Sequence, residues 1–107
     1  MNNIARVEKL KLMLNEQPND SFILFALGLE MMKLNDEVAA ESYFNLIIQN
    51  DPNYCGVYYH LGKLLEKTGR AQEALDVYDL GLKICKKLNE IHNYNELRSA
   101  FDTLSDN

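Results

Sequence analysis

An all-α array of antiparallel helical hairpins is the fold class this sequence predicts, on three observations. The chain repeats itself at an offset of 34 residues, pairing Pro18 with Pro52, Leu27-Gly28 with Leu61-Gly62, Ala40 with Ala74, and Phe44 with Tyr78. Inside each copy apolar residues recur at helical spacing, as in Leu24, Leu27 and Met31 and again in Tyr58, Leu61 and Leu65. Between these runs stand turn formers: Asn35-Asp36, Asn50-Asp51-Pro52 and Gly69.

The elements follow in order. Residues 1–17 predict a helix with an apolar stripe of Ile4, Val7, Leu10 and Leu14, closed by Pro18. Asp20 or Ser21 caps a helix to about Leu34. Asn35, a residue that tolerates the left-handed conformation, turns the chain with Asp36 into a second helix that ends near Gln49. Asn53 or Tyr54 opens the next helix, to about Lys67, and Gly69 supplies the left-handed residue that stops it. A further helix runs from Arg70 or Ala71 to about Leu88, extended because Lys86 stands where another closing proline would fall. Asn93-x-x-Glu96 reads as a capping box for a last helix, with Leu97, Ala100, Phe101 and Leu104 turned inward and Glu96, Arg98, Ser99 and Asp102 on its outer face.

Small residues explain the pairing. Gly28 and Gly62 on the first helix of each copy, and Ala40 and Ala74 on the second, let two backbones approach, while Phe44 and Tyr78 fill the space beside them. The expected organisation is one domain of five helices: a half-repeat helix over 1–17, repeats over 21–54 and 55–88, and a cap helix over 93–105.

Composition narrows the function. A net charge of −5, without a run of Lys and Arg able to track a phosphate backbone, argues against nucleic acid as partner. Arg6, Glu8, Lys9 and Lys11 interrupt the start where a signal peptide needs an apolar core, and Phe22 to Leu29 is too short to insert in a bilayer, so a cytoplasmic protein is expected. Cys55 and Cys85 are too far apart for a CxxC pair; free thiols are expected, Cys85 buried and Cys55 partly exposed at a helix start. His60 and His92 lack ligand-type partners at i+3 or i+4, Cys55 and His60 do not share a helix face, and there is no glycine-rich phosphate loop. No catalysis, cofactor or metal is expected.

The motifs Leu24-x2-Leu27-Gly28-x2-Met31, Ala40-x3-Phe44 with Pro52, and Tyr58-x2-Leu61-Gly62-x2-Leu65 with Ala74-x3-Tyr78 carry a family resemblance. The chain resembles a tetratricopeptide-repeat protein of the small, stand-alone bacterial type. That resemblance implies a fragment of a right-handed superhelical α-solenoid, with two full repeats flanked by an N-terminal half repeat and a C-terminal cap helix whose polar face keeps the array soluble. It also implies a non-catalytic scaffold whose ligands lie in a concave groove lined by the first helix of each repeat.

On that face fall Phe22, Phe25, Leu29, Met32 and Lys33 from one copy and Gly56, Tyr59, His60, Lys63, Glu66 and Lys67 from the other. Because Ile23, Leu24, Leu27 and Met31 already make the inward stripe, the first of these helices is apolar nearly all round. The expected partner is a protein helix or peptide laid on Phe22, Phe25, Leu29, Met32 and Tyr59, with Lys63 and Lys67 as polar rim. The dicarboxylate clamp of chaperone-binding relatives is not matched: Phe25, Leu29 and Tyr59 occupy its positions and Lys63 alone survives. Two alternatives stand beside this reading: a homodimer using the same strip or the N-terminal edge, and a strip that is simply core.

Overall fold

A computed structural model of the protein describes residues 3–106, which form helices with no strand among them. There are six: α1 (Asn3–Glu16), α2 (Ser21–Lys33), α3 (Glu37–Asn50), α4 (Gly56–Lys67), α5 (Ala71–Lys87) and α6 (Ile91–Ser105). The expected five is corrected to six, since a half-repeat helix, two hairpins of two helices each and a cap make that number. The chain forms two compact units, one ending at Pro52 and the other beginning at Asn53.

In the first unit α1 packs Val7 and Leu10 inward while Ile4 stays exposed, and α2 and α3 form a hairpin around Leu24, Leu27, Ala40, Phe44 and Ile47. Asp20 caps α2 by accepting a hydrogen bond from the Ile23 N–H at 3.0 Å, and Asp36 caps α3 by accepting from the Ala39 N–H at 3.1 Å. Glu30 of α2, 3 % exposed, holds its Oε2 3.0 Å from Arg6 Nε of α1 and 3.4 Å from Lys33 Nζ. Its Oε1 makes no hydrogen bond among the described residues. Nothing in the periodicity marks this pair, because Glu30 falls on a position whose counterpart 34 residues on is Leu64, fully buried.

In the second unit α4, α5 and α6 pack around Tyr58, Leu64, Tyr78, Cys85 and Leu97. The hairpins close alike. A Cβ on Gly28 would lie within 3.0 Å of Phe44 ring carbons, and one on Gly62 within 3.0 Å of Tyr78 ring carbons, so each aromatic of the second helix lies against bare backbone of the first. Gly81 repeats the arrangement in reverse, with Tyr58 Cβ 2.6 Å and Leu97 Cδ1 3.0 Å from where its own Cβ would be.

Three helices end in one geometry. Asn35 (φ 60), Gly69 (φ 79) and Asn89 (φ 60) are left-handed, and the residue after each donates its N–H back to the last turn: Asp36 to Met31 O at 2.9 Å, Arg70 to Leu65 O at 2.8 Å, Glu90 to Cys85 O at 2.9 Å. Asn35 and Gly69 are legible in the sequence as turn residues; Asn89 is not, and it moves the last boundary. Since α5 closes there, α6 begins at Ile91 with Glu90 as its cap, and the expected capping box at Asn93 does not form. Asn93 lies in the first turn of the helix and donates its side-chain N–H to Glu90 Oε1 at 3.3 Å. Cys55 also departs from expectation: at the N-cap of α4 it is 7 % exposed and counts among the buried residues of the second unit.

Candidate partner-binding faces on the first helix of each hairpin

In the first unit Phe22, Phe25, Leu29 and Met32 fall at i, i+3, i+7 and i+10 of α2, which is one stripe of a helix. They are not equally free. Phe22 is 68 % exposed, whereas Phe25, Leu29 and Met32 are half-buried, and the Phe25 ring rests against the core Phe44 ring, centroids 6.1 Å apart and tilted 45°. Phe25 thus belongs partly to the core. Asp20 and Ser21 fix the start of this stripe: Asp20 caps the helix and the Ser21 hydroxyl donates to Asp51 Oδ2 at 2.7 Å, which holds Phe22 in the first turn facing outward.

In the second unit Tyr59, Lys63 and Lys67 fall at i, i+4 and i+8 of α4. Lys63 Nζ lies 6.0 Å from the Tyr59 ring centroid and 3.8 Å from Glu66 Oε2, while Lys67 is exposed at the end of the helix. Tyr59 meets the His60 ring edge-on, with centroids 5.4 Å apart. Burial pushes the His60 imidazole below its ordinary value, and the charge of Glu96 opposes that shift in part. Glu66 accepts a hydrogen bond from the Tyr78 hydroxyl, so the polar edge of α4 is tied to the core of its own hairpin.

A cavity of about 260 Å³ opens here, lined by Tyr59, Lys63 and Glu66 of α4 and by Glu96, Ser99 and Thr103 of α6. Glu96 and Ser99 are exposed, as expected of the polar face of α6, and also border this recess; Arg98 and Asp102 share that exposed face, their Nη1 and Oδ1 3.6 Å apart. The helix expected only to cap the array thus supplies part of a recess. The seven residues singled out in the sequence fall on α2 and α4, four in the first unit and three in the second. Among the described residues no group of three or more His, Cys, Asp or Glu side chains could hold a metal ion, and no helix is long and apolar enough to cross a membrane.

A family model described as tetratricopeptide repeat matches residues 56–88. The crystal structure of a tetratricopeptide repeat domain protein from Salinibacter ruber is 32 % identical, covers 81 % of this chain and 97 % of its own, and superposes with a TM-score of 0.78. The chain belongs to the tetratricopeptide-repeat family, whose fold generally mediates protein–protein interaction and whose members are generally non-catalytic. The TPR2B domain of yeast Sti1, solved in complex with pHsp70, shares the fold at 19 % identity, with a TM-score of 0.86 over 94 % of this chain and 80 % of that one. The photosystem I assembly protein Ycf3 of Rippkaea orientalis is 29 % identical over 98 residues, 82 % of this chain, and the chain spans 57 % of that relative's length.

Proposed function

We propose that this chain is a non-catalytic interaction module that takes a partner helix or extended apolar peptide on the first helix of its hairpins. The observation that carries this reading is Phe22, a large aromatic 68 % exposed at the head of a stripe continued by Phe25, Leu29 and Met32. Aromatic anchors of this kind dominate interface energetics. On α4, Tyr59, Lys63 and Lys67 offer an aromatic face and two cations, suited to the polar side of a peptide. Lys63 alone remains of the dicarboxylate clamp and is engaged with Glu66, so an apolar partner surface fits better than a terminal carboxylate.

The second reading, a homo-oligomer, draws on Ile4, Leu12 and Met13, exposed along α1 in the first unit. The test is to select amphipathic helical peptides against the purified chain and map the bound complex by amide chemical shifts. Perturbations centred on Phe22, Phe25, Leu29 and Met32 support the proposal. Shifts confined to the outer faces of α3 and α5 count against it.

A further inference from the structure

The two cysteines are thirty positions apart in sequence and adjacent in the fold. Gly62 lies against Tyr78, and Gly81 lies against Tyr58, so α4 and α5 run antiparallel at close approach with each step forward on one matched by a step back on the other. One further turn in the same register, back from Tyr58 and on from Gly81, sets Cys55 at the head of α4 opposite Cys85 near the end of α5. The Cys55 thiol is close enough to bear on the titration of Cys85, and neither cysteine is in a disulfide. Both are also buried, Cys85 completely. A cavity of about 210 Å³ lined by Cys85, Ile91 and Tyr94 opens at this end of the hairpin. Nothing in the repeat pattern requires a cysteine at either place: the positions 34 residues earlier hold Ser21 and Asp51.

We propose that Cys55 and Cys85 are a reversible oxidation site, converted by hydrogen peroxide to an intramolecular disulfide that staples the head of α4 to the last turns of α5. In the first step Cys55 Sγ attacks the peroxide: an S–O bond forms, the O–O bond breaks, and the departing oxygen leaves as water with the thiol proton, giving a sulfenic acid. In the second, Cys85 Sγ attacks that sulfur: the S–S bond forms, the S–O bond breaks, and a second water carries away the Cys85 proton. Two thiols are oxidised and one peroxide is reduced to two waters. The order follows from exposure, since Cys55 retains some surface and Cys85 has none; burial also pushes the Cys85 thiol up to about 12, so its proton leaves only as its sulfur attacks, with the departing sulfenic oxygen.

The experiment treats the folded chain with hydrogen peroxide, then alkylates remaining thiols under denaturing conditions and reads intact mass and peptide map. The expected product is lighter by two hydrogen atoms, takes up no alkyl group, yields one cross-linked peptide pair containing Cys55 and Cys85, and melts at a higher temperature until dithiothreitol reverses the shift. In Cys85→Ala, Cys55 is expected to stop at the sulfenic acid and be trapped by dimedone. Peroxide-treated wild type in which both thiols still alkylate, in which either sulfur advances to sulfinic acid, or in which chains are joined to one another overturns the proposal. So does a Cys85→Ala chain, folded by circular dichroism, that gives no dimedone adduct.

Discussion

The Tyr78 hydroxyl of α5 donates a hydrogen bond to the Glu66 carboxylate of α4, joining a fully buried ring to the polar edge of the candidate face. One residue thereby serves two purposes: its ring fills the space above Gly62, and its hydroxyl fixes the carboxylate that meets Lys63.

Tyr78→Phe keeps the ring and removes the donor, so the cost should be that of a hydrogen bond to a charged acceptor, about 1.5–3 kcal/mol, read from urea unfolding. Its pH dependence gives a second readout. Burial, with the Glu66 hydrogen bond and charge behind it, raises the Tyr78 phenol above its usual value in the folded chain. The folded state therefore holds a proton that the unfolded chain gives up from about pH 10, and stability falls as pH rises beyond that point. Wild type should lose stability above about pH 10 more steeply than Tyr78→Phe. Parallel slopes would show that Tyr78 titrates as an ordinary surface phenol.

Gly62→Val tests the close approach beneath that ring. The added side chain meets Tyr78 carbons that cannot withdraw, being buried and tied to Glu66, and overpacking of this kind costs about 1–3 kcal/mol. Helix propensity works the other way by less than about 1 kcal/mol, so net destabilisation is expected in thermal unfolding. A variant as stable as wild type would mean that α4 and α5 do not meet at this point.

Glu30 invites the opposite experiment, because its counterpart in the other copy is Leu64. Glu30→Leu removes a desolvated carboxylate and leaves Arg6 and Lys33, both more than half exposed, free to hydrate, so a neutral or slightly stabilising effect is expected. Arg6→Ala should instead cost about 1–2 kcal/mol, less than for a fully buried pair because the Arg6 side chain is 51 % exposed. Denaturant midpoints of the two variants check both signs. Equal losses would place the contribution of Glu30 outside its pairing with Arg6.

The fold was largely legible because its determinants repeat: Gly28 with Phe44 and Gly62 with Tyr78 have the same spacing within each copy, and steric contacts between small and large residues leave that signature. The features that escaped occur once. Asn89 closes α5 by the same left-handed turn as Asn35 and Gly69, but it falls outside the 34-residue register, so the sequence signals place the start of α6 two residues late. Cys55 reads as partly exposed because its place at a helix start says nothing of the close α4–α5 register, set by Gly62 on Tyr78 and Gly81 on Tyr58, that buries it. The residues of the candidate face were legible as types on a stripe. Their division was not: only a three-dimensional neighbour, Phe44, separates the half-buried Phe25 from the exposed Phe22.

That division selects the decisive variant. Phe25→Glu would place a charge against Phe44 and confuse folding with binding, whereas Phe22→Glu alters an exposed ring in the first turn of α2, where an acidic side chain is favoured by the helix dipole. The measurement is the affinity of a selected amphipathic peptide for Phe22→Glu relative to wild type, with Val38→Glu on α3 as an exposed control. If the α2 stripe is the partner-binding face, Phe22→Glu melts as wild type does and binds at least about tenfold more weakly, about 1.4 kcal/mol, while Val38→Glu binds unchanged. Unchanged affinity in Phe22→Glu would contradict the account. So would a wild-type chain found at twice its 12.3 kDa mass that Phe22→Glu alone returns to monomer, since the stripe would then be a seam between copies.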